Sequence, residues 1–350
     1  MHTNLVKPIS LIVATLFTSP IVVGFEKERN LLIEEIIRGE PIQRIDPRYP
    51  IDAARSGQEG WVVVSYVIGK DGTVNSAVVD ESSNGKVFNR ATLRAIKQWK
   101  FEPTTVNGKA IEQCKNNVRM EFTLASDKKG ARRTFVRKYN DAVKFIDNKS
   151  FTEARELIDK LHKGGSWNLY EDAWLHSLEA EYYRNTGELN KEYDVLTSLS
   201  YGNSDYLGKS QMLRALFRLL QLTVDKKYYK SALRAARLVK KIDDEKLLFP
   251  KLVKTVNQIE QFLKEGDNYQ VNGKLEGGVW NYYLARNSFS LSGDTSHLRK
   301  LDIRCDNKHL SYKVEDKSVW SIPESYGNCS IYVYGEEDST VNLIEVAKNA

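Results

Sequence analysis

The chain has 350 residues, 41% hydrophobic and 10% aromatic, which excludes a disordered or fibrous protein and points to two or three packed domains. Its 52 basic residues are offset by 46 acidic ones, and the formal charge of +6 is too small to imply a nucleic-acid partner. Three cysteines, Cys114, Cys305 and Cys329, include no CxxC pair and exclude a zinc ribbon or a disulfide-dense scaffold.

Residues 1–24 carry Lys7, then a mostly apolar stretch from Pro8 to Val23 that ends at Gly24, after which Phe25-Glu26-Lys27-Glu28-Arg29 opens a charged chain. This pattern predicts a secretory signal cleaved after Gly24. The alternative is a retained membrane anchor, which Pro8, Thr15, Thr18, Ser19 and Pro20 disfavour as a stable helix. Residues 25–43 read as a charged lead-in, helix-compatible from Glu26 to Arg38.

In residues 44–125, two prolines bracket Arg48-Tyr49 and force an extended approach to a short helix at Ile51-Asp52-Ala53-Ala54. Trp61 to Ile68 is a strand by its β-branched and aromatic content, and Lys70-Asp71-Gly72-Thr73 supplies the positive φ of a hairpin returning through Val74 to Val79. Phe88, Ala91, Ala95 and Trp99 recur at helical spacing until Pro103. After a turn at Asn107-Gly108-Lys109, Asn117 to Leu124 alternates apolar and polar residues as a half-buried strand. Val62, Val64, Tyr66, Ile68, Phe88 and Trp99 form the expected core. Trp61, Val63 and Val67 face the other way and need a cover, from the following helices, the lead-in or a partner.

The ordered run P-x-Y-P-x-x-A, E-G-x-V-x-V-x-Y-x-I-x-x-D-G-x-V, F-x-x-A-x-x-x-A-x-x-x-W-x-F-x-P, N-G and V-x-M-x-F resembles the C-terminal domain of TonB over about residues 44–125. The resemblance implies a compact β-α-β module whose last strand lies at a sheet edge and accepts an extended peptide from an outer-membrane TonB-dependent transporter. Strand edges suit this because their unpaired main-chain groups can take a further strand. By that logic the peptide-binding residues are Asn117, Val118, Arg119, Met120, Glu121 and Phe122, flanked by Asp46, Arg48 and Tyr49. Tyr49 reads first as a packing residue for this segment. Asp46 stands where the family commonly has glutamine. The resemblance also places the chain in the periplasm, with an inner-membrane anchor facing the periplasm as the alternative. The proline-rich spacer of a full energy transducer is missing, since the sequence has only 8 Pro.

Residues 130–266 switch to amphipathic helices, expected at about 132–147, 151–163, 169–185, 189–199, 208–224, 228–241 and 246–264. Phe151, Leu189 and Tyr229 open similar segments and recur about every 40 residues. This resembles tetratricopeptide-type stacking, whose usual period is about 34. Such an array binds a second, unknown protein or serves as a spacer. The cations from Lys230 to Lys241 form a solvated face, with weak contact to a membrane surface as the other reading.

Residues 268–350 contain short strand-like runs at 277–284, 289–291, 297–304, 310–314, 319–322 and 330–334 that predict a small antiparallel β-sandwich. Cys305 and Cys329 each border a strand, and an exported chain is oxidised, so they are expected to form a disulfide with Cys114 left free and buried. Trp280, Tyr282, Trp320, Tyr332 and Tyr334 read as sandwich core, or else as a sugar-binding face.

No GxSxG, HExxH or P-loop is present, and the five His have no ligand spacing. No catalytic residue, metal or cofactor is expected. The fold class is a multidomain α+β chain: a TonB-like β-α-β module, a tetratricopeptide-like helical array and a C-terminal antiparallel β-sandwich. Its expected function is a non-enzymatic periplasmic adaptor accessory to TonB-dependent transport. The alternative is an envelope scaffold, uncoupled from transport energy, that covers its own sheet edge.

Overall fold

The computed structural model describes residues 36–347 apart from 84–85, 125–129, 164–167, 203, 245, 247, 307 and 315–317. Residues 1–24, expected to be a signal, lead-in residues 25–35 and Trp167 lie outside the described residues. Among the described residues no helix is long and apolar enough to cross a membrane.

The first module runs β1 (Ile36–Ile37), β2 (Pro41–Gln43), α1 (Ile51–Arg55), β3 (Gly60–Ile68), β4 (Val74–Ser82), α2 (Lys86–Ile96), β5 (Lys100–Phe101), β6 (Thr105–Val106), β7 (Lys109–Ala110) and β8 (Gln113–Phe122). The end of the lead-in, expected to be helical, is therefore strand: β1 pairs with β6 and β2 with β5. Trp99 also draws that segment in, donating its indole N–H to the Ile45 carbonyl at 2.8 Å. The main sheet is ordered β4-β3-β8 and antiparallel throughout. Its hairpin turns at Gly72, where φ is +78° and an added Cβ would stand 1.9 Å from the Phe101 carbonyl oxygen. Only glycine fits that turn.

Helix α2 covers one face of the sheet with Phe88 and Ile96 against Val62, Val64, Tyr66 and Phe122. Strand β3 is nevertheless buried at all nine of its positions, because the other two modules cover the second face. Trp61 and Val63 pack with Leu169, Tyr201 and Tyr206, so the following helices supply the cover that the sequence required. Farther along that face, Asp80 of β4 accepts hydrogen bonds from Ser65 and from Tyr332 of the C-terminal module.

The middle module comprises α3 (Arg133–Asp147), α4 (Phe151–His162), α5 (Leu169–Thr186), α6 (Leu189–Ser200), α7 (Ser204–Leu207), α8 (Lys209–Asp225), α9 (Tyr229–Ile242) and α10 (Phe249–Glu265). Phe151, Leu189 and Tyr229 each begin a helix, and two residues before each stands a left-handed residue: Lys149 (φ 60°), Gly187 (φ 78°) and Lys227 (φ 60°). The sequence repeat is thus three helical hairpins with one turn geometry. Asp243 accepts from the N–H groups of Leu248 and Phe249 at 2.8 and 2.7 Å and caps α10.

The C-terminal module holds β9 (Tyr269–Lys274), β10 (Val279–Tyr283), β11 (Ser288–Ser292), β12 (Leu298–Cys305), β13 (His309–Lys313), β14 (Val319–Ser321), β15 (Cys329–Gly335) and β16 (Thr340–Glu345). They form two four-stranded antiparallel sheets, β10-β15-β12-β13 and β14-β11-β16-β9, around one apolar core. Cys305 and Cys329 are disulfide-bonded, and Cys114 is free and buried. Trp280 and Tyr282 belong to the core, while Tyr332 is buried facing the first module.

Candidate functional site

Strand β8 ends the first sheet and pairs only with β3. The Ser83 N–H donates to the Trp61 carbonyl at 3.0 Å, so odd-numbered residues of β3 turn their main-chain groups toward β4 and even-numbered ones toward β8. In the register Val62↔Met120, Val64↔Val118 and Tyr66↔Asn116, the even-numbered residues of β8 therefore bond β3. The N–H and C=O groups of Asn117, Arg119 and Glu121 point outward, and among the described residues no strand pairs with that side.

Of the side chains predicted to bind a peptide, Val118, Met120 and Phe122 pack in or against the α2 core. Tyr49 sits edge-on to Phe88 and Phe122, with ring centroids 5.9 and 5.7 Å away, and its hydroxyl donates to the Gln58 carbonyl. Burial, and then Glu59, pushes that phenol up to about 12. Asp46, Arg48 and Asn117 are exposed. Arg119 and Glu121 have intramolecular partners. The Arg119 guanidinium lies 4.3 Å from the Trp61 ring centroid and donates to the Tyr201 carbonyl at 2.7 Å, while Glu121 accepts from Arg119 at 3.0 Å and from the Tyr206 hydroxyl at 3.2 Å. What this edge offers is mainly main-chain hydrogen bonding, with the exposed side chain of Asn117 on it. Tyr201 and Tyr206, which the sequence did not connect with β8, hold its side chains in place. The bare apolar strip at Trp61 and Val63 was the signal that something must do so.

A second feature lies between the modules: a cavity of about 820 Å³ bordered by β4, α6, α9, β9 and β10. Aromatic rings and carboxylates share its lining, among them Tyr193, Tyr201, Tyr283, Glu81, Asp194 and Glu276. Glu81 accepts from Ser198 at 2.9 Å, and burial raises its carboxyl to about 7. A carboxyl whose folded value lies above its unfolded value contributes stability that is fully present below about pH 4.3 and is lost as pH rises through about 7. Glu81→Gln, which keeps an acceptor for Ser198, should raise the melting temperature by a few degrees at pH 8. At pH 4 it should change little, and thermal melts at the two values check this. Among the described residues no group of three or more His, Cys, Asp or Glu could hold a metal ion.

Comparison with known proteins gives matches to the first module. Residues 45–124 match the family model described as Gram-negative bacterial TonB protein C-terminal. Protein TonB of Xanthomonas campestris pv. campestris (strain B100) is 37% identical over 62 residues, covering 18% of this chain and 28% of that protein. Protein TonB of Pseudomonas aeruginosa is 35% identical over 72 residues, 21% of each chain. The chain therefore spans less than a third of the length of these relatives. The solution NMR structure of the Pseudomonas aeruginosa TonB C-terminal domain is 29% identical and covers 26% of this chain and 90% of that one, with a TM-score of 0.24.

Proposed function

We propose that this chain is a periplasmic adaptor whose β8 edge takes an extended segment of an outer-membrane TonB-dependent transporter as an added strand, while its helical array engages a second protein. The observation that carries the reading is the outward row of main-chain groups on Asn117, Arg119 and Glu121, in a module similar to the C-terminal part of TonB. The inner-facing side chains of β8 are packed and Arg119 and Glu121 are engaged, so recognition is chiefly main-chain pairing.

Asn117→Pro tests it. It removes one outward N–H but no bond to β3, and proline is tolerated on that side of an edge strand. Binding of a capped synthetic peptide copying a transporter's extended periplasmic segment should weaken about tenfold or more relative to Asn117→Ala, equivalent to about 1.4 kcal/mol. Hydrogen exchange of the unmutated protein gives a second readout. The amides of residues 117, 119 and 121 should exchange fast in the free chain and slow on peptide addition. Slow exchange without peptide would favour the scaffold reading, for which the burial of β3 on both faces is the supporting observation.

A further inference from the structure

Strand β10 ends the sheet β10-β15-β12-β13 and pairs only with β15. The Gly335 N–H donates to the Gly278 carbonyl and the Leu284 N–H to the Cys329 carbonyl, both at 3.1 Å. Bonded pairs alternate in an antiparallel ladder, so Trp280 and Tyr282 bond β15 and the main-chain groups of Asn281 and Tyr283 point away from the sheet. The interdomain cavity lies on that side. It touches all five consecutive residues of β10, Val279 to Tyr283. Neighbouring side chains of a strand leave on opposite faces, so a space that meets five in a row runs along the edge. On β4 the cavity likewise meets four consecutive residues, Val78 to Glu81. The edge of β9 is partly closed, because the Tyr228 hydroxyl donates to the Asn272 carbonyl at 2.7 Å.

Five carboxylates and four cations line this space, so its charge is acidic by one. Lys226 lies 5.2 Å from the Tyr193 ring centroid and donates to Asn190, Lys274 pairs with Asp338 at 2.6 Å, and Arg234 lies 4.4 Å from the Tyr201 ring centroid; Lys227 is exposed. Asp194 and Glu276 make no close ion pair among the described residues, although Lys226 attracts the first and Lys274 the second. Asp194 keeps access to solvent at the rim, yet burial, and then repulsion from Glu276, pushes its carboxyl up to about 6.

We propose that the outer edge of β10 is a second strand-accepting site, distinct from β8, which takes an extended peptide of a partner protein bearing a lysine or arginine that meets Asp194 and Glu276. Five strand residues span about 17 Å, so the segment is short. The probes are capped heptapeptides of alternating Thr and Val with Lys, Gln or Glu at the central position, added to the full chain. The Lys peptide should slow exchange of the Asn281 and Tyr283 amides and bind at least tenfold more tightly than the Glu peptide. In Asp194→Asn/Glu276→Gln that preference should fall below threefold. Asn281→Pro removes an outward N–H and should weaken the Lys peptide at least tenfold relative to Asn281→Ala. Exchange in the unmutated chain keeps the test independent of how the variants fold. Protection confined to residues 117–121 would overturn this inference while leaving the β8 reading intact; protection confined to residues 281 and 283 would do the reverse. Equal binding of the Lys and Glu peptides would also overturn it.

Discussion

Arg286→Ala is expected to destabilise the chain by about 3–5 kcal/mol, as for breaking several buried hydrogen bonds to a charged donor at once. Arg286 is 8% exposed, and its guanidinium donates to the carbonyls of Phe262, Leu263, Gly266 and Asp267 at 2.8 to 3.1 Å. Leu263 is among the carbonyls that the last turn of α10 leaves without a helical partner, Gly266 and Asp267 lie just beyond the helix, and Phe262 also accepts from the Gly266 N–H at 2.8 Å. Its charge also lies 5.3 and 5.1 Å from the ring centroids of Phe262 and Tyr269. The same residue's main-chain N–H, with that of Ala285, donates to the fully buried carboxylate of Glu345 at 2.6 and 2.9 Å. Truncation therefore strands several acceptors at once where the helical array meets the sandwich. Urea unfolding followed by far-UV circular dichroism and tryptophan fluorescence measures the loss. Arg286→Lys should recover less than half of it, since an ammonium cannot span four carbonyls as a planar fork does. A loss below about 1 kcal/mol, the worth of a single ordinary hydrogen bond, would contradict this account.

Trp61→Ala should cost a comparable amount, about 3–5 kcal/mol, for loss of a large buried ring. The ring is 3% exposed, packs with Val63 and Leu169, and donates its indole N–H to Asp172 at 3.2 Å. Asp172 is itself buried, and burial raises its carboxyl pKa against the pull of His176. Losing the indole leaves that carboxyl without its donor and Arg119 without the ring beneath it. Trp61→Phe should restore most of the packing but not the N–H, leaving a deficit of about 1–2 kcal/mol. Chemical denaturation reads the energies. Exchange at the β8 amides of Val118 and Met120, which bond β3, should accelerate in the alanine variant beyond what its global stability accounts for.

Much of the first module was legible because each signal was local. The Asp71-Gly72 pair demands a tight turn, Phe88 to Trp99 repeats at helical spacing, and Val62 to Ile68 alternates against it. The helical hairpins were legible through Phe151, Leu189 and Tyr229, although nothing in that spacing told which turn residues would be left-handed; two of the three are lysines. Strands β9 and β16 were missed. Tyr269, Val271, Val341 and Leu343 are buried, but they alternate with polar residues in segments too short and mixed to stand out. The strands at Ile36–Ile37 and Pro41–Gln43 were missed because their pairing partners lie more than 50 residues away, beyond any local pattern. The edge character of β8 followed from the resemblance alone. The anchoring of Arg119 by Tyr201 and of Glu121 by Tyr206 depends on how separate modules meet, which no single-chain periodicity encodes.

The burial of β3 on both faces has a mechanical consequence. A tug on anything zipped to β8 would load the β3–β8 ladder in shear, and β3 would pass the strain through Trp61 to Asp172 on the helical side. Through Ser65, Asp80 and Tyr332 the same strain would reach the disulfide-braced sandwich. Tension applied at one rim of the molecule would thus be spread over all three modules.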